Sequence, residues 1–227
     1  MGHRRYKIAV LGGTGAQGSG LALRLCAAGH EVTIGSREAA RAASTAAQLS
    51  ARAGKAIGGS DNRAAAAAAE IAILTVPYAV QRATVEHVLD ELHGKILVDS
   101  TVPLVPPKVS TVSLPDGRSA VAAIQQLAGE NVRVVSAFQN VSAQHLAELD
   151  HGVDCDVLVC GNDRTACDVV IGLCADIGLR GLYAGGIDNS AAAEALTSVL
   201  ITINRRYKVA GAGIRITGLI PTALENN

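Results

Sequence analysis

Hydrophobic residues in this chain come as short apolar runs, each followed by a longer stretch in which they recur every three or four positions. The first run is Lys7–Leu11; it stops in a cluster of glycines, and Leu21, Leu23 and Leu25 then open a helical pattern over residues 15–28. The alternation repeats. Strands are predicted at 31–34, 56–58, 70–76, 95–99, 132–137, 156–161 and 179–184, with helices at 37–53, 64–69, 79–92, 119–128, 164–177 and 189–208. Apolar runs too short for a helix, separated by amphipathic segments, predict an α/β fold with a doubly wound parallel sheet covered on both faces. The strands at 156–161 and 179–184 extend it beyond six. Asp61 reads as an N-cap for the six alanines that follow, which favour a closely packed crossover helix. Pro103, Pro106, Pro107 and Pro115 exclude a regular element from 100–117. The pattern shows no linker, and residues 1–186 read as one domain. Residues 187–227 add a helix and a glycine-rich tail without a strand, expected over the sheet's carboxyl edge or against a partner subunit.

Composition narrows the class. Nearly half of the 227 residues are hydrophobic, enough for a sizeable core, while the aromatics are one Phe, four Tyr and no Trp. That scarcity argues against stacking platforms for bases, and a formal net charge of zero argues against a nucleic-acid or membrane partner. No apolar run reaches the ~18 residues of a membrane span. The five cysteines are odd in number and lack a C-x-x-C pair. Cys167 and Cys174 fall on an apolar helical stripe, so all five are read as small hydrophobes in a reduced, cytoplasmic setting, with no metal site. A strand beginning by Tyr6 leaves no room for a signal peptide.

The glycine cluster changes the picture most. Gly13, Gly15 and Gly18 form G-x-G-x-x-G between the first strand and the first helix, the context in which a backbone turn meets a dinucleotide's pyrophosphate. The helix N-terminus adds free N–H groups and positive dipole. A ribose-binding acid would stand at the end of the second strand, but the chain there reads Gly35, Ser36, Arg37, with Arg41 one turn later. Guanidinium forks suit a 2′-phosphate, which favours NADP(H) over NAD(H). The alternative for the two arginines is a solvated helix face with Glu38 as partner. Thr75, Val76, Pro77 and Tyr78 should lie across the nicotinamide half of the crevice, joined by 99–103 and 137–143 from the next two strand ends. No Ser/His/Asp set and no catalytic carboxylate pair occurs there, and His30, His87, His93, His145 and His151 read as surface or loop residues. No catalytic residue is assigned. Hydride transfer suits such a site, because it asks mainly for two rings held in contact with water excluded.

Over nearly its whole length the chain resembles the NADPH-dependent reductases of the deazaflavin coenzyme F420. The segments that carry this are AVLGGTGAQGSGLALRL, HEVTIGSRE, AILTVPY, GKILVDSTVPL, VVSAFQNVSAQHL, CDVLVCGND and INRRYKVAGAGIRITGL. The resemblance implies a Rossmann-type domain with a small helical C-terminal portion, a homodimer, and hydride transfer between NADP(H) and F420. It implies NADP contacts at Thr14, Gly15, Ala16 and Gln17, 2′-phosphate contacts at Ser36, Arg37 and Arg41, and a nicotinamide path past Val76, Val80, Val102 and Ala143. The deazaflavin would stack near 137–141 and the C-terminal segment, with a hydrogen bond to the ring from Gln139 or Asn140, where some relatives carry His-Thr. Arg205, Arg206, Lys208 and Arg215 are candidates for its anionic tail, the alternative being a solvated helix end that favours positive charge. Two rival functions share these features: an NADPH-dependent flavin or ferric-chelate reductase, and a non-catalytic NADP(H) sensor.

Overall fold

The computed structural model describes residues 4–115 and 118–219. Gly117 of the proline-rich loop, Ile220 of the tail and the rest of 187–227 beyond it lie outside the described residues. Strands β1 (Lys7–Leu11), β2 (Glu31–Ser36), β3 (Gly58–Asp61), β4 (Ile71–Leu74), β5 (Ile96–Asp99), β6 (Arg133–Ser136), β7 (Asp156–Gly161) and β8 (Arg180–Tyr183) form one sheet in the order β3-β2-β1-β4-β5-β6-β7-β8. Helices α1 (Ala16–Ala27), α2 (Ala39–Ala53), α3 (Asn62–Ala68), α4 (Tyr78–Leu92), α5 (Ala120–Ala128), α6 (Ala143–Leu146), α7 (Arg164–Asp176) and α8 (Ser190–Tyr207) connect or cover them. The first six strands follow the doubly wound order, with its switch point between β1 and β4.

Side chains alternate across each strand, and the two faces bury separate cores. Ile8, Val10, Ile71 and Ile73 pack with Leu21 and Leu25 of α1, Leu49 of α2 and Val170 of α7 on one face. Ala9, Leu11, Ala72 and Leu74 pack with Ala65 of α3, Val88 of α4 and Ile124 of α5 on the other. Alternation ending in glycine at the carboxyl edge is what places the site. Asp61 caps α3 as expected, accepting from Ala64 N–H at 2.9 Å. Among the described residues no strand or α-helix falls between Asp99 and Ala120.

Three readings need correction. The third strand lies at Gly58–Asp61 rather than 56–58, because pairing with β2 in parallel register aligns Ser60 with Gly35. The sheet is not wholly parallel: β7 runs antiparallel to β6. A parallel return needs a crossover that traverses a face of the sheet, usually as an α-helix. The chain between β6 and β7 instead carries only the four-residue α6, which docks on α1 beside Gly20 and Arg24, and it then returns to enter β7 from the edge it left. His30 is no surface residue. It is 5% exposed, accepts from Tyr6 N–H through Nδ1 and places Nε2 3.1 Å from Asp176.

Residues 211–216 of the tail lie against the start of β7. Asp156 opens β7 there, fully buried, and the Arg180 guanidinium meets both its oxygens at 2.7 and 2.6 Å. The Asp156 N–H donates to Ile214 O and the Ile216 N–H donates to Asp156 Oδ2. A Cβ at Gly211 would stand 2.5 Å from His145, and one at Gly213 would stand 2.7 Å from Cys155 Sγ. Gly211 and Gly213 are therefore packing residues.

Candidate active site

Why the chain turns where it does is visible in the glycines. Gly12 adopts φ +75°, and a Cβ on it would meet Val76 Cγ1 at 2.5 Å. Gly13 packs a would-be Cβ 2.7 Å from the Val10 carbonyl, and Gly18 one 2.4 Å from Thr75 Oγ1. Only Gly15 faces open space, its nearest neighbour being Gly12 O at 3.6 Å. The division of labour thus differs from the motif's usual reading: Gly12, just ahead of it, makes the turn, and Gly13 and Gly18 pack helix on strand. Gly15 leaves room for a ligand.

Gly15 is also the N-cap of α1, with no side-chain cap and no acidic residue in the first turn. The N–H groups of that turn, over Ala16, Gln17 and Gly18, are left for an anion. Thr14 is half-buried beside them, and Gly15 and Ala16 are exposed. This arrangement fits a pyrophosphate.

At the tip of β2, Ser36 is buried and its Oγ accepts from Glu38 N–H at 3.3 Å. Arg37 and Arg41 are exposed and make no ion pair among the described residues, so the Glu38 partnership is not formed. Beside them opens a cavity of about 420 Å³, lined by Ser36, Arg37, Asp61, Asn62, Val80 and Thr84, with Ala83 and His87. Val80, expected on the nicotinamide path, is thus part of the wall at the β2 tip. Asn62, Thr84 and His87 were missed by the sequence reading, although 80, 84 and 87 fall on one face of α4 by helical spacing. A larger open hollow, of about 810 Å³, lies at the sheet's amino edge between α5, β6 and α7 and shares no residue with the glycine turn.

Across the switch point, Thr75 Oγ1 donates to Leu11 O at 3.0 Å, and Ser100 Oγ donates to Leu74 O at 2.9 Å. Val76 and Val102 are half-buried, Pro77 is exposed as the N-cap of α4, and Ala143 begins α6. Asp99 closes β5 with no exposed surface; Gln81 Nε2 donates to it at 2.7 Å and Thr101 N–H at 2.9 Å. Burial raises the Asp99 carboxyl above the ordinary range, against the pull of these hydrogen bonds. Glu194 of α8 is likewise buried and raised, its oxygens accepting from Ser119 Oγ and from the N–H groups of Ala120 and Val121 at the start of α5.

Gln139 and Asn140 are placed differently from expectation. Both are buried, and their amide nitrogens point into the fold: Gln139 Nε2 donates to Asp99 O and Ser136 Oγ, and Asn140 Nδ2 to Asp156 O. Neither amide nitrogen is therefore spare for a ring. Of the four candidate cations, Arg215 is held 3.0 Å from Asp154 and Arg205 donates to Ser110 Oγ, whereas Arg206 and Lys208 are exposed. The five cysteines are all buried, and burial pushes the Cys160 and Cys167 thiols up to about 11. Their role is packing. No helix among the described residues is long and apolar enough to cross a membrane.

A glycine turn feeding an uncapped helix, a basic strand tip and a crevice at the switch point define a Rossmann-type oxidoreductase. Residues 7–103 match the family profile described as NADP oxidoreductase, coenzyme F420-dependent. The F420-dependent NADP reductase of Methanothermobacter marburgensis is 43% identical over 221 residues, covering 94% of this chain and 99% of that protein. The one from Methanocaldococcus jannaschii is 43% identical with the same coverage. A crystal structure from Arthrobacter sp. FB24, proposed to be an F420-dependent NADP reductase, is 29% identical with a TM-score of 0.81, over 93% of this chain and 99% of that one. The chain belongs to the F420-dependent NADP reductase family.

Proposed function

We propose that this protein transfers a hydride between NADP(H) and coenzyme F420. The observation that carries the reading is the extent of the similarity. The family profile spans only the dinucleotide half, but the curated relatives match over 94% of the chain, well beyond that half. The NADP half has direct support in the uncapped first turn of α1 and in the exposed Arg37 and Arg41 beside Ser36. When bound, the two cofactors supply the chemistry between nicotinamide C4 and deazaflavin C5. The protein's part is to bind, align and dry the reacting faces. Thr14, Gly15, Ala16 and Gln17 surround the pyrophosphate, which the free N–H groups of the first turn of α1 receive, and Ser36, Arg37 and Arg41 take the 2′-phosphate. Val76, Pro77, Val102 and Ala143 line the nicotinamide end, and Val80 the adenosine side.

Residues 1–186 serve in this reading as the NADP-binding unit and 187–227 as the portion that completes the acceptor side. The exposed apolar residues Val199, Tyr207, Val209, Ile216 and Leu219 on α8 and the tail suit a homodimer contact, in a cytoplasmic enzyme. Light scattering of the purified protein reads the dimer directly. The function is tested by mixing protein and NADPH with F420, FMN or ferric citrate and following each acceptor's visible absorbance. Bleaching of F420, with little turnover of the others, is expected. Brisk flavin turnover without F420 reduction points to the flavin reductase, and NADPH binding without any turnover to a sensor.

A further inference from the structure

The loop leaving β6 is held in a conformation that its sequence resists. Phe138, the only phenylalanine in the chain, is fully buried at φ 74°. Bulky residues avoid that left-handed region because Cβ crowds the backbone. Ties from several elements keep it there. Gln17 Nε2 of α1 donates to Phe138 O at 2.9 Å, and Thr197 Oγ1 of α8 donates to Gln139 O at 2.8 Å. Gln139 Nε2 reaches Asp99 O and Ser136 Oγ, both at 2.8 Å, and Asn140 Nδ2 reaches Asp156 O at 2.6 Å. The loop also carries two buried acceptors, Gln139 Oε1 and Asn140 Oδ1, with no partner among the described residues. Positive φ and unpaired buried oxygens are both unfavourable, so the loop keeps this shape only while its surroundings over-determine it.

One of these ties differs from the rest. Gln17 stands in the first turn of α1, where its backbone N–H faces the expected pyrophosphate, yet its side chain crosses to the far wall of the crevice, 121 residues on. A single residue touches both halves of the site. We propose that Gln17 is a positioning residue: dinucleotide bound at the first turn of α1 fixes its side chain, which holds the strained 138–140 loop in the shape that receives the hydride acceptor. The inference rests on reading the glycine turn as the NADP(H) site. It assigns the order of events within that site. The dinucleotide sets the loop, and the acceptor then finds it formed.

The test uses the full chain as wild type, Gln17→Leu and Thr197→Val. Hydrogen exchange of the 137–141 amides is followed with and without NADP+, alongside NADPH affinity and the KM for F420. In the wild type NADP+ should slow exchange of the loop about tenfold. Gln17→Leu should abolish that slowing and raise the acceptor KM about tenfold, with a smaller loss of NADPH affinity because the Gln17 backbone N–H is kept. Thr197→Val, which unties the loop from α8 but not from the turn, should raise the acceptor KM and keep the NADP+-dependent protection. Protection that survives in Gln17→Leu overturns the proposal, as does an equal loss of NADPH affinity and acceptor KM. The exchange arm needs no acceptor, so it decides the coupling even if F420 proves not to be the substrate. A wild type that fails to bind NADPH overturns the site reading itself.

Discussion

Arg37 and Gly15 show how much a single side chain, or its absence, decides. Arg37 is exposed and makes no ion pair among the described residues, so its replacement costs the fold little and its effect is confined to the ligand. A charge-assisted phosphate contact is worth about 1.5–3 kcal/mol, and Arg37→Asp should weaken NADPH binding by at least about tenfold while leaving NADH nearly unchanged. Fluorescence titration of both nucleotides reads this, and an unaltered NADPH-to-NADH ratio assigns the phosphate elsewhere. Gly15→Val adds its side chain to open space. It should keep the melting temperature and lose dinucleotide binding. Gly13→Val drives its side chain into the Val10 carbonyl and Ile34, so it should cost stability first. A pairing of calorimetry with titration separates the two. The motif located these glycines, but only the coordinates distinguish the ones that pack from the one that makes room.

At the scale of elements, β1, β7 and the glycine-stopped first helix were legible to within a residue, because apolar runs and breakers are local signals. The reversed β7 was not, since a strand's direction depends on the edge by which the chain returns. That return is secured by Asp156, whose carboxyl is raised by burial but pulled below its ordinary value by Arg180, the Ile216 N–H and Arg215. Removing one partner of a buried pair costs about 3–5 kcal/mol. Asp156→Ala should therefore lower the melting temperature by roughly 10 °C, at about 2–4 °C per kcal/mol for a chain this size. It should also loosen the tail, read as faster exchange at 214–216. Retained stability would mean that the tail is held by its glycine packing alone.

For the molecule as a whole, the buried carboxylates that pair with no cation among the described residues set an unusual pH response. Glu194 and Asp99 have folded-state pKa values above their unfolded ones. Each binds its proton more tightly when folded, so its contribution is full below the ordinary carboxylate range near about 4 and falls as pH rises through the folded value. Asp156 acts in the opposite sense and loses its contribution as pH falls through its depressed value. Glu194→Gln keeps a carbonyl acceptor for the amides of α5 but cannot ionise. Its melting temperature should decline less than that of the wild type as pH rises above the ordinary carboxylate range. Parallel profiles for the two proteins would place the titration elsewhere.

Sequence alone determined the alternating elements, the glycine turn, the missing acid and the basic residues at the β2 tip, because each is written in neighbouring positions. It also carried the family resemblance, read from ordered segments along nearly the whole chain. Contacts between residues far apart in the chain were decided by tertiary structure: the edge at which β7 enters and the union of α4 with the β2 tip in one cavity. The inward aim of Gln139 and Asn140 belongs with them, as does the reach of Gln17 to Phe138. Such contacts depend on where the folded sheet brings the chain back, which no local pattern records.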